Sequence, residues 1–214
     1  MSFSKSYLQK AMDVLARIDA DAIEKAAETL AEVRAQEGRL FVIGSGGGAG
    51  HASHAACDFR KLCNIETYAP YDNVSELTAR VNDDGWETTI SNWLKVSRFG
   101  SADALLVLSV GGGNEEAKLS MNLVNAIKLA KQVGAKVIGI VGKNGGYTKQ
   151  VGDAAIVIPD VDSSLVTPLA EGFQAVLWHL LASHPKLQVH VGKWESLTAS
   201  VVALEQSFEP IAQP

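Results

Sequence analysis

The stretch from Leu40 to Asp58 holds the residues best placed for chemistry. An apolar run, Leu40 to Ile43, leads into Gly44-Ser45-Gly46-Gly47-Gly48-Ala49-Gly50, and His51, His54 and Asp58 follow. A strand that feeds a glycine loop and then a helix makes an anion site. The first helical N–H groups have no intrahelical partners, and the dipole is positive at that end. His54 and Asp58, spaced i, i+4, share one face of that helix. A phosphate cradle beside a His/Asp pair points to chemistry on a phosphorylated small molecule. A solvent-facing i, i+4 pair is the alternative for these two residues.

The cradle recurs. A second apolar run, Leu105 to Val110, enters Gly111-Gly112-Gly113-Asn114 and then Glu115-Glu116-Ala117-Lys118, which reads as a first helical turn with acids at its positive end. Glycines allow positive φ and close backbone approach, so successive N–H groups converge on an anion. Ordinary βα turns also favour glycine, so neither loop alone identifies a site. Two in one chain, each with a serine beside it (Ser45, Ser109), favour phosphate. The dinucleotide fingerprint fits only loosely: Gly44-x-Gly46 is followed by Ala49, and Glu66 begins a short strand where the fingerprint needs an acid ending one. Neither loop is followed by a Walker-type lysine.

Glu171 and His179 lie on a late helix among Phe173, Val176, Leu177, Trp178, Leu180 and Leu181. Eight residues separate them by about 80° and about 12 Å along the axis. One small ligand is reached by both only if the helix bends or if symmetry brings copies together. The alternative is a solvated first-turn acid and a hydrogen-bonded core histidine.

These residues need elements to hold them. The 214 residues, 47% of them apolar, suffice for one substantial core. Residues 4–18 and 21–37 read as amphipathic helices, with Asp21 and Glu24 as a capping box and Gly38 as a stop. Strands are expected at 39–44, 65–69, 104–109, 136–141 and 154–158. Helices are expected at 49–63, 75–82, 86–98, 115–132 and from Pro168 to about His184, then a strand-like 187–190 and a last helix at 194–206. Trp86, Ile90, Trp93 and Leu94 read as packing residues. Alternating β and α elements imply an α/β fold, a three-layer sandwich around a mostly parallel five-stranded sheet. The chain reads as one domain, 1–214, with 1–37 an N-terminal helical appendage. Net charge is −5 with both signs dispersed, which offers nucleic acid no basic patch. No apolar run approaches the ~20 residues of a membrane span, and no apolar segment follows Met1-Ser2-Phe3-Ser4-Lys5 as in a signal peptide. Cys57 and Cys63 read as reduced thiols facing differently. A cytoplasmic location is the expectation.

In order, these motifs resemble the sugar isomerase (SIS) domain family, in its phosphoheptose isomerase branch. That branch has a Gly-Asn-Gly-Gly-Ser loop followed by a histidine and, four residues on, an acid, matched by Gly44-Ser45-Gly46-Gly47-Gly48, His54 and Asp58. Its Asn-Asp pair matches Asn82-Asp83, and its Ser-Thr-Ser-Gly-Asn-Ser phosphate loop matches Ser109-Val110-Gly111-Gly112-Gly113-Asn114. Its Gly-Lys-Asp-Gly-Gly turn matches Gly142-Lys143-Asn144-Gly145-Gly146, and its Gln and His eight apart match Glu171 and His179. The likeness covers nearly the whole chain and implies a flavodoxin-like, doubly wound sheet.

The resemblance implies Zn²⁺, or another divalent metal, on His54, Asp58, Glu171 and His179, between subunits of a homotetramer. It implies a phosphorylated sugar at Ser45, Gly46, Gly47, Asn82, Asp83, Ser109, Val110, Gly111 and Asn114. The implied reaction is aldose–ketose isomerisation, sedoheptulose 7-phosphate to D-glycero-D-manno-heptose 7-phosphate. Asp58 or Glu171 is then the base and His179 a proton donor or a ligand. Asp58 stands where the branch has glutamate, Glu171 where it has glutamine, and Val110 and Gly111 where it has hydroxyls. His51, where the branch has an acid, is an alternative ligand or acid/base. The competing reading is a non-catalytic sugar-phosphate-binding protein or replication-initiator adaptor of the same fold.

Overall fold

The structure, a computed structural model, describes residues 2–197. Its strands are β1 (Leu40–Gly44), β2 (Thr67–Tyr68), β3 (Ala104–Ser109), β4 (Lys136–Val141) and β5 (Ala154–Val157). All neighbours pair in parallel, in the order β2-β1-β3-β4-β5. The helices are α1 (Phe3–Arg17), α2 (Ala20–Ala35), α3 (Gly47–Cys63), α4 (Val74–Asp84), α5 (Thr89–Val96), α6 (Met121–Val133), α7 (Gly146–Val151) and α8 (Val166–Ala182). Side chains alternate faces along a strand, so a sheet covered on both sides needs apolar residues at every position. Both β1 and β3 are buried throughout. Val42 and Leu106 face a core shared with Val14 of α1, Leu30 of α2, Phe59 of α3 and Trp178 of α8. Phe41 and Val107 face the opposite core, with Leu94 of α5 and Ile127 of α6. Among the described residues no helix is long and apolar enough to cross a membrane.

Several expected boundaries moved. The helix expected at 115–132 begins at Met121. Asn114 and Leu119 exchange both backbone hydrogen bonds (3.0 and 2.9 Å), and the Asn114 Oδ1 accepts from the Ala117 N–H at 2.8 Å. The asparagine offers its neighbours a turn in place of a helix, and the turn wins. The α2 cap is Asp19, whose side chain accepts from the Asp21 and Ala22 N–H groups, so Asp21 lies inside the helix and heads no capping box. The six-residue α7 was not foreseen, being too short to carry a periodic pattern. Residues 187–190 form no strand; the Val189 and His190 N–H groups donate to the Leu62 carbonyl, the C-terminal end of α3. Ile90 and Leu94 are core residues, but Trp86 is exposed. Of the helix expected at 194–206, residues 193–197 are helical and the remainder lies outside the described residues.

Candidate functional site

Strands β1 and β3 lie side by side, Gly44 opposite Leu108. From β1 the chain order runs outward to β2, and from β3 it runs the other way to β4 and β5. This reversal opens a crevice at the carboxyl ends of the two strands, the usual ligand position in such sheets. Both glycine loops open from it. Gly46, the N-cap of α3, has φ 59° and ψ −124°, a conformation that disfavours any Cβ, and no side chain caps the helix. The second loop is pinned from the far side by the unforeseen α7. The Thr148 N–H and hydroxyl both donate to the Gly112 carbonyl (2.9 and 2.7 Å), and the Tyr147 N–H donates to the Gly113 carbonyl at 2.8 Å.

The helix that starts at the first loop carries two of the three residues of the next feature. Ala52, Ala55 and Ala56 of α3 are buried in the core that also takes Leu177, Trp178 and Leu181 of α8. Small residues let the two helices approach closely. Asp58 Oδ2 lies 3.9 Å from His54 Nε2 and 3.8 Å from His179 Nε2. The ligating atoms of the three residues all fall within 4.8 Å of one another. The two imidazoles meet edge to face, and His54 packs in the same manner on the buried Trp178. His179 Nδ1 stands 2.7 Å from the Ala175 carbonyl. A carbonyl only accepts, so Nδ1 carries the proton, and in the neutral ring the Nε2 lone pair faces Asp58. That backbone partner is the kind that orients metal-bound histidines. Two imidazoles and a carboxylate at this spacing fit a divalent cation, and three protein ligands leave a coordination position open for substrate.

Glu171 is not in this group. A Cβ built on Gly47 would stand 2.5 Å from its carboxyl carbon, so the carboxylate lies against the first residue of α3. Two turns of α8 thus serve two places: His179 joins His54 and Asp58, while Glu171 faces the glycine loop. The expected set of four arrives as three and one. The 12 Å problem is resolved by splitting the pair, and His179 reaches its partners within a single chain.

The remaining expected residues are distributed unevenly. Ser45 Oγ accepts from Asn122 Nδ2 at 3.1 Å. Ser109 is buried, and its hydroxyl oxygen accepts from the Gly112 N–H at 3.0 Å, inside its own loop. Val110 is half-buried and Gly111 exposed; Asn114 is exposed, its side chain engaged in the turn described above. Asn82 and Asp83, exposed at the end of α4, hydrogen-bond each other, and among the described residues no hydrogen bond joins them to either glycine loop. His51 lies one turn before His54, outside the three-residue group. Two residues escaped the sequence reading. Tyr71 donates its phenol proton to the Gly44 carbonyl, and burial pushes its pKa well above the usual range. Asn122 is fully buried in the first turn of α6. Its signal was present: it heads an otherwise apolar stripe with Ala126 and Ala130.

A family model described as SIS domain matches residues 6–142. A phosphoheptose isomerase of Haemophilus ducreyi is 35% identical over 165 residues, covering 72% of this chain and 81% of that one. The lincomycin biosynthesis protein LmbN of Streptomyces lincolnensis is 29% identical over 191 residues, covering 85% and 68% respectively. The solved phosphoheptose isomerase GmhA from Neisseria gonorrhoeae superposes with a TM-score of 0.73 at 20% identity, covering 84% of this chain and 95% of that one; at this identity the likeness is one of fold.

Proposed function

The chain belongs to the SIS domain family, and from that premise we propose that it is a metal-dependent isomerase interconverting a ketose phosphate and its aldose. The observation that carries the proposal is the cluster that His54 and Asp58, on the helix that begins at the first glycine loop, form with His179 of α8. A non-catalytic binder of sugar phosphates has no use for such a donor set beside its ligand.

His54, Asp58 and His179 are the residues that would hold the cation, for which zinc is the proposed identity. Bound there, a divalent cation supplies Lewis acidity toward the sugar carbonyl. The glycine loops and Ser45 bind the phosphate and fix the position of the reacting carbons. Isomerisation takes a proton from the carbon next to the carbonyl, passes through an enediolate, and returns the proton to the neighbouring carbon. Glu171 is the proposed base for that transfer, with the extended sugar chain spanning from the cation to the glycine loop that Glu171 faces. It lies apart from the cation ligands, so its carboxylate keeps the basicity that coordination takes from Asp58.

Sedoheptulose 7-phosphate is the proposed substrate, in keeping with the phosphoheptose isomerases among the relatives. A homotetramer is the proposed assembly. Incubation with a panel of ketose phosphates in D₂O, alongside elemental analysis of the protein, tests the reading. Solvent deuterium should enter the product at the carbon that gains the proton. Tight binding with neither turnover nor exchange would establish a binding protein instead.

A further inference from the structure

Asn122 is a polar side chain of the crevice to which the proposed chemistry gives no task. It is fully buried, yet its Oδ1 has no hydrogen-bond partner. A buried unpartnered carbonyl oxygen is a net cost to folding, and an apolar residue of the same shape avoids that cost. The fold alone therefore does not call for an asparagine here.

The orientation of the amide follows from its neighbours. Tyr71 spends its phenol proton on the Gly44 carbonyl, so its oxygen has only lone pairs to offer. Asn122 pulls the phenol pKa downward, against the larger effect of burial, as an N–H donor beside that oxygen does. The Asn122 Nδ2 lies 3.1 Å from Ser45 Oγ. With its oxygen accepting from Asn122, the Ser45 hydroxyl keeps its own proton free to donate. Ser45 is half-buried at the mouth of the loop, next to the uncapped start of α3.

We propose that Asn122 is a positioning residue that orients the Ser45 hydroxyl as a donor to a phosphate oxygen of the ligand. This rests on the reading of the crevice as a phosphosugar site. Asn122 reaches across from α6 to the β1 loop, so it also ties together the two sides of the switch point.

Asn122→Leu removes the donor and the stranded oxygen at once. The expected result is a KM for sedoheptulose 7-phosphate raised about tenfold, the loss of one charge-assisted hydrogen bond, with kcat within about twofold. The melting temperature should be unchanged or higher, whereas a merely structural amide would lower it. Ser45→Ala should raise KM by a similar factor, and the double variant should be no worse than Ser45→Ala alone, because Asn122 acts through Ser45. Asn122→Asp, an isostere that accepts the serine proton and turns it inward, is the second variant if Asn122→Leu does not fold, and should raise KM further. Calorimetry with inorganic phosphate should show the same ranking. Unchanged KM in both Asn122 variants, or effects of Asn122→Leu and Ser45→Ala that multiply, would overturn the proposal while leaving the phosphosugar reading intact. A wild-type protein that binds neither probe would remove both.

Discussion

At the scale of single residues, the proposal assigns the cation to His54, Asp58 and His179 and the proton to Glu171, and the two assignments are separable. Asp58→Asn should lose bound metal, and His54→Ala combined with His179→Ala should abolish it. Glu171→Gln should keep the metal, as read by elemental analysis, and lose about 10²–10⁴-fold in kcat, the usual contribution of a general base. Metal lost from Glu171→Gln, or retained by the histidine double variant, would contradict the division. The two thiols make a second contrast. Burial pushes the Cys63 pKa up to about 11, and its Sγ lies 3.4 Å from the Ala182 carbonyl, whereas Cys57 is exposed. At pH 8 only about one Cys63 thiol in a thousand is ionised, and the thiolate is the reactive form. Iodoacetamide should modify Cys57 in the native protein and Cys63 only after denaturation. Mass spectrometry showing native modification of Cys63 would mean that α3 and α8 open.

At the scale of elements, adjacent glycines at the start of α3 have different tasks. A Cβ on Gly48 would collide with the Leu108 carbonyl of β3. Backbone cannot swing aside as a side chain can, so Gly48→Ala should cost about 1–3 kcal/mol of stability. The nearest atoms to a Cβ on Gly47 are those of the Glu171 carboxylate, the far end of a flexible side chain. Gly47→Ala should change stability by less than about 0.5 kcal/mol, like a surface substitution. Its activity should nonetheless fall toward that of Glu171→Gln, because the carboxylate is displaced. Urea denaturation and turnover measured on both variants provide the check; equal stability loss in the two would refute the placement of Glu171.

At the scale of the whole molecule, α1 and α2 contribute unequally to the proposed assembly. Leu8, Ile23, Leu30 and Val33 invite the expectation of spare apolar surface on both helices, together with Leu15. Ile23, Leu30 and Val33 turn out to belong to the chain's own core. Leu8 and Leu15 stay exposed, and Met12 joins them in an i, i+4, i+7 stripe with Phe3 beyond. A stripe of this kind suits burial against another copy. Leu8→Asp with Met12→Asp should shift the mass in light scattering below that of a tetramer while leaving metal content unchanged. Subunit exchange between Asp58→Ala and His179→Ala proteins should restore no activity, because these side chains meet within one chain, 3.8 Å apart. Recovered activity would show a site built across chains.

Local patterning along the chain was enough to place the sheet and its two loops. Continuous apolar runs ending in glycine have few other uses, and the resulting crevice follows from strand order. It also placed His54 and Asp58 on one helical face, since their spacing is local. That His179 joins them and Glu171 does not was set by long-range packing. That depends on how α8 lies across the small residues of α3, a contact between segments more than a hundred residues apart in the chain. The late start of α6 was closed to pattern reading because one asparagine turn outweighs a favourable charge pattern. Asn122 carried its signal in a lone polar position on an apolar stripe. Its meaning came only from Ser45 and Tyr71, which folding alone brings to it.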